Sequence, residues 1–131
     1  MIQSILIPKI VYQVLSNNES LQKYIGNKVF PLVAELGTEF PYVAFSKTYI
    51  NPTYTKDFYT EDTVGVEIVV ASIDYLESLD ISNTVRSLFE CKTFKSDSME
   101  IKQITFTGIT EGYDDEANAF VQRLTFEFKV R

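Results

Sequence analysis

The chain has 131 residues, 45% of them hydrophobic and 23% charged; that fits one compact domain over 1–131 and excludes a disordered or collagen-like chain. It has no histidine and a single cysteine, Cys91. His-dependent triads, His-ligated metals, an intramolecular disulfide and paired-cysteine sites are therefore excluded. A formal net charge of −6 is the wrong sign for a protein that holds phosphates by bulk electrostatics.

The apolar amino terminus lacks a basic region before it and a small-residue cleavage site after it, and nowhere do 18 or more apolar residues run together. The expectation is a soluble protein folded in a reducing cytoplasm. Ile2, Ile5, Leu6, Ile10, Val14 and Leu15 recur at helical spacing and predict an amphipathic helix over 5–16, with Ser4 as N-cap and Pro8 tolerated in the first turn. Asn17, Asn18 and Glu19 read as a turn and cap for a short helix over 20–25 that Gly26 closes in a left-handed conformation. Residues 28–33 read as extended, interrupted by Pro31. A strand over 40–49 opens at Pro41, and the strongly apolar 63–72 reads as a central strand. Between them, 50–62 is a loop or a long hairpin tip. Ser72 or Asp74 caps a helix carrying Leu76, Leu79, Val85, Leu88 and Phe89 on one face, ending near Cys91 or Lys92. Two strands finish the chain, over 100–109 and 120–130. The second sets Phe120, Leu124, Phe126, Phe128 and Val130 against Val121, Arg123, Thr125, Glu127 and Lys129. This order predicts an α+β fold: two layers, with helices packed on one face of a mainly antiparallel sheet.

No constellation for chemistry emerges. The acidic run from Glu111 to Glu116 lacks the alternating ligands and distal Glu of a helix-loop-helix calcium site and reads as a solvated hairpin loop. Cys91, at the carboxyl end of a helix that disfavours a thiolate, reads as a partly buried structural residue. The glycines are too scattered to cradle a phosphate. The expectation is a non-enzyme without cofactor or metal. Lys92, Lys95 and Lys102 read as a solvated connection diluted by Asp97 and Glu100. Tyr49, Tyr54, Phe58 and Tyr59 fall outside the expected core, and exposed aromatics point to a protein partner, because only Lys47 and Lys56 stand near them to attract nucleic acid.

The order of Ile25-Gly26-Asn27-Lys28-Val29-Phe30-Pro31, Phe40-Pro41-Tyr42-Val43, Val66-Glu67-Ile68-Val69-Val70-Ala71, Asn83-Thr84-Val85-Arg86-Ser87-Leu88 and Arg123-Leu124-Thr125-Phe126-Glu127-Phe128-Lys129-Val130 resembles the small tail-completion proteins of long-tailed bacteriophages, the tail-terminator and head–tail joining proteins. The resemblance spans nearly the whole chain. It implies an α+β subunit that assembles into a ring, commonly a hexamer, between the tail tube and the head connector of the virion, without catalytic residues. DNA would pass through such a ring without specific binding, and isolated subunits can be monomeric. On this reading the candidate subunit-interface residues are Tyr49, Tyr54, Phe58, Tyr59, Arg123, Glu127 and Lys129. The alternative from a different class is a small bacterial protein-interaction module.

Overall fold

The computed structural model describes residues 3–54, 60–96 and 99–131. A six-stranded sheet in the order β1-β2-β3-β6-β5-β4 is built from β1 (Val29–Pro31), β2 (Tyr42–Tyr54), β3 (Thr60–Ser72), β4 (Phe94–Ser96), β5 (Met99–Asp114) and β6 (Ala119–Val130). β1 pairs parallel to β2, and every other pairing is antiparallel. Two long hairpins, β2–β3 and β5–β6, meet along a central seam where β3 pairs with β6 from Asp62–Val130 to Ser72–Phe120. Three helices, α1 (Ile7–Ser16), α2 (Glu19–Ile25) and α3 (Tyr75–Phe89), follow a short 3-10 turn over Ser4–Leu6. The fold is α+β, as the element order predicts.

The helices cover one face of the sheet. Val64, Val66, Ile68 and Val70 of β3 and Leu124, Phe126, Phe128 and Val130 of β6 are buried there with Ile7, Val11 and Leu15 of α1 and Ile81, Val85 and Phe89 of α3. The Phe89 ring lies 5.6 Å from Phe126 and 6.0 Å from Phe128, between centroids. Residues of opposite parity, among them Thr63, Glu67, Arg123, Thr125, Glu127 and Lys129, are partly exposed on the other, helix-free face. A strand with one apolar side can bury only that side, so this alternation fixes which face meets the helices.

Local signals account for most boundaries. Asn18 accepts from the Leu21 backbone N–H at 2.9 Å, and Asp74 accepts from that of Leu76 at 3.1 Å, so both expected caps form. Gly26 ends α2 at φ +62° and ψ −124°, a positive φ but not the left-handed helical region. β1 takes in Pro31 and stops there, short of the extended stretch to 33 that the sequence suggests, because Leu32 turns at φ +65°.

Other expectations are corrected. Ser4 does not cap α1: the cap position is Leu6, without a side-chain hydrogen bond, and the buried Ser4 hydroxyl has no partner among the described residues. The opening 3-10 turn winds more tightly than an α-helix and shifts the stripe, so Ile5 and Leu6 are exposed and Ile7 and Val11 are buried instead; Ile2 lies outside the described residues. In α3, Leu76 and Leu79 point outward. The face against the sheet carries Ser78 and Ser82, whose hydroxyls donate to the carbonyls of Tyr75 and Ser78 and let the helix lie close above buried Gln122. Cys91 is exposed rather than partly buried, at a turn where its φ is +62°. The acidic run is not all loop: β5 continues to Asp114, and the short β4 occupies part of the expected connection.

Candidate interaction surface

The helix-free face owes its layout to one glycine. A bulge at Thr48 brings Tyr49 opposite Gly65 on β3, and Gly65 in turn pairs with Glu127 on β6. With no side chain on Gly65, the Tyr49 ring lies across the strand; a Cβ on Gly65 would fall among the ring atoms and 2.5 Å from Thr48 Oγ1. The Tyr49 hydroxyl then donates to Glu127 Oε1 at 2.8 Å. That bond favours the protonated phenol, so the Tyr49 pKa is raised, chiefly by the bond itself and further by burial and the carboxylate charge. Around this row, Arg123 Nη1 stands 3.6 Å from Glu67 Oε1, and Lys129 Nζ donates to Thr63 Oγ1 at 2.7 Å. Lys102 Nζ meets Glu61 Oε2 at 2.8 Å.

The structure thus gathers four of the expected interface residues, Tyr49, Arg123, Glu127 and Lys129, on one sheet face, each with a partner inside the chain. Tyr54 stands apart near the end of β2, 71% exposed. Phe58 and Tyr59 lie outside the described residues. The β2–β3 pairing extends past the seam, since β6 ends opposite Asp62 while β2 and β3 continue pairing to Tyr54–Thr60.

Three features were absent from the sequence reading. The first is a polar cluster at the opposite end of the sheet. Buried Gln122 donates through Nε2 to Glu111 Oε2 at 3.0 Å and Ser78 Oγ at 3.3 Å, while the Tyr75 hydroxyl donates to the same carboxylate and its pKa is raised mainly by that bond. The gap that Gln122 leaves in the apolar alternation of β6 was its one sequence signal. The second is a groove of about 370 Å³ between α1 and β4, lined by Ile10, Val14, Phe94 and Met99 among others. The third is the loop after β1, where Leu32, Val33 and Leu36 are exposed; Leu32 and Val33 fall in the stretch that reads as extended, while the strand itself ends at Pro31.

The basic and acidic clusters are locally engaged. Lys95 and Lys102 stand near Glu100 and Glu61, and Asp114 Oδ1 accepts the backbone N–H groups of Glu116 and Ala117, closing its own turn. Among the described residues no three His, Cys, Asp or Glu side chains are grouped to hold a metal ion, and no helix is long and apolar enough to cross a membrane.

No family model matches the chain, and no curated protein matches it either. Solved structures do. A chain from the virion of a native gene transfer agent particle is 16% identical, over 92% of this chain and 90% of its own length, with a TM-score of 0.80. A second solved structure is 12% identical over 98% and 96%, with a TM-score of 0.58. At such identities the likeness is one of fold: the two-layer architecture described above is shared, nearly end to end, with a chain of that virion particle.

Proposed function

We propose that this chain is a non-enzymatic structural protein of a phage, prophage or related particle, a tail-completion component that forms a ring and joins the tail to the head connector. The observation that carries the reading is the fold shared over 92% of the chain with a component of a gene transfer agent virion. The order of sequence motifs that resembles tail-completion proteins supports it independently. The six copies usual in the family would surround the path of the DNA, and the chain's net charge of −6 opposes retention of phosphate as it passes. Assembly would take place in the bacterial cytoplasm and leave the protein in the neck of the virion.

The test is deletion of the reading frame from the phage or prophage genome that carries it, with complementation in trans. The expected result is filled heads and separate tails, restored to infectious particles by the wild-type gene. Normal particles from the deletion strain would overturn the reading. Complementation with Tyr54, Phe58 and Tyr59 all changed to Ser is expected to give soluble, folded protein and no joining; a wild-type particle yield would remove these aromatics from the interface.

A further inference from the structure

We infer that copies of this chain join head to tail by strand pairing, the open edge of β2 on one copy docking antiparallel on the open edge of β5 on the next, displaced by about six residues along the strands. The inference deepens the ring-forming reading and rests on it.

The two ends of the sheet are only partly covered. β1 pairs with Val43, Ala44 and Phe45 alone, and β4 with Met99, Glu100 and Ile101 alone; the Cys91 N–H then takes the Ile104 carbonyl at 3.1 Å. Residues 46–54 of β2 and 105–114 of β5 thus have no strand on their outer side among the described residues. Edge strands of this length are normally blunted by Lys, Pro or a short run. Yet 105–114 contains no Lys, Arg or Pro, and its one bulge lies between Phe106 and Gly108. The β5 edge, without such protection, is a template for another strand; the β2 edge carries Lys47, Pro52 and the bulge at Thr48, so it is the strand that docks, with one ladder donor missing at Pro52.

A second copy supplies that strand with the right direction. The pairs β2–β3, β3–β6 and β6–β5 are all antiparallel, so β5 runs opposite to β2. A neighbour laid alongside in the same orientation therefore presents its β2 antiparallel to β5. The contact is heterologous, the kind that closes a ring when its rotation divides the circle.

The two caps set the displacement. β1 sits at the end of the sheet where Val43 pairs with Val70, and β4 at the opposite end, where Ile101 pairs with Val130. An odd displacement would set the helix face of one copy against the helix-free face of the next. Six residues is the smallest even slide that carries the neighbour's β1 past Asp114, the end of β5. It places Tyr54 opposite Phe106, Pro52 opposite Ile109 and Asn51 opposite Thr110. Lys47, whose ammonium donates to the Ile5 carbonyl at 3.2 Å within the chain, then falls opposite Tyr113 and diagonal to Glu111. Aromatic and opposite-charge neighbours of this kind stabilise strand pairs, and Tyr54 and Ile109 are both exposed in the single chain. Six residues are about 20 Å along the strands and four strands about 19 Å across them, a tilt of about 45°, at the upper end of the roughly 35–45° at which strands close into barrels.

The test is cysteine cross-linking in particles assembled with a Cys91→Ser chain that also carries Asn51→Cys and Thr110→Cys. Mild oxidation is expected to give a ladder of covalent multimers ending at the full ring, with none above a dimer from either single-cysteine variant. A second variant, Ile109→Lys, places a charge on the exposed edge; its circular dichroism and melting should be unchanged and its assembly lost. Particles that require the chain but contain it uncross-linked, or Ile109→Lys rings at wild-type yield, overturn the strand pairing alone. Normal particles from the deletion strain overturn the ring reading along with it.

Discussion

Gly65 allows a sharp test of how the helix-free face is organised. In Gly65→Ala the new Cβ meets the Tyr49 ring and stands 2.5 Å from Thr48 Oγ1. The threonine hydroxyl can rotate away, but the ring must leave the strand. Displacing it forfeits the hydrogen bond to Glu127, about 1 kcal/mol net, and adds overpacking of about 1–3 kcal/mol. Against this, alanine recovers about 0.5–1 kcal/mol of the entropic cost of glycine inside a strand. The balance is a loss of about 2 kcal/mol, or about 5–10 °C in Tm for a domain of this size. Removing the ring first should abolish most of the penalty, so the Tyr49→Ala and Gly65→Ala cycle should show a coupling of about 1–2 kcal/mol by urea denaturation. Strictly additive effects, or a Gly65→Ala protein as stable as wild type, would refute the claim that the missing side chain is what seats Tyr49.

The same bond has a pH signature. A phenol whose pKa is raised on folding contributes stability that is complete below its unfolded value of about 10 and is lost as pH rises through the higher folded one; Tyr49→Phe should therefore flatten the alkaline decline in thermal stability, and parallel melting curves would show the bond to be inconsequential. Gln122→Ala should cost about 1–3 kcal/mol in chemical denaturation, because it empties a buried site and removes the donor shared by Glu111 and Ser78; a loss under about 0.5 kcal/mol would show that the cluster is dispensable. Labelled duplex DNA at about 150 mM salt should give no saturable anisotropy change, and binding tighter than the roughly 10⁻⁴–10⁻⁶ M of non-specific binders would contradict a passive passage.

The α+β architecture was legible in the sequence because its strongest signals are periodic. The period-two run of β6 and the apolar core of β3 define the sheet, while Asn18, Gly26, Asp74 and Pro31 mark where elements begin and end. What escaped was decided by contacts between elements. Leu76 and Leu79 look like a buried face until Ser78, hydrogen-bonded over Gln122, turns out to be the closer fit to the sheet. β4 is three residues long and exists only through its pairing with β5. The acidic run reads as loop because its charges are solvated, yet the backbone beneath them pairs with β6 as far as Asp114. As for the candidate surface, sequence reading found residues that share a face without showing how they are joined. The bulge at Thr48 puts Tyr49 on that face, and no pattern in the sequence marks it.

The central seam also shapes how the chain reaches its fold. Each long hairpin joins strands that are neighbours in sequence, whereas β3 and β6 are separated by α3, β4 and β5. The hairpins are thus local structures, able to form on a microsecond scale, but the seam must close a long loop before any of its hydrogen bonds forms. Such distant pairing places the chain among the slower small folders, at about milliseconds to seconds. Until the seam closes, both hairpins present bare inner edges, one of them the strongly apolar Val66–Val70 stretch of β3, during the interval in which a nascent chain is most exposed to aggregation.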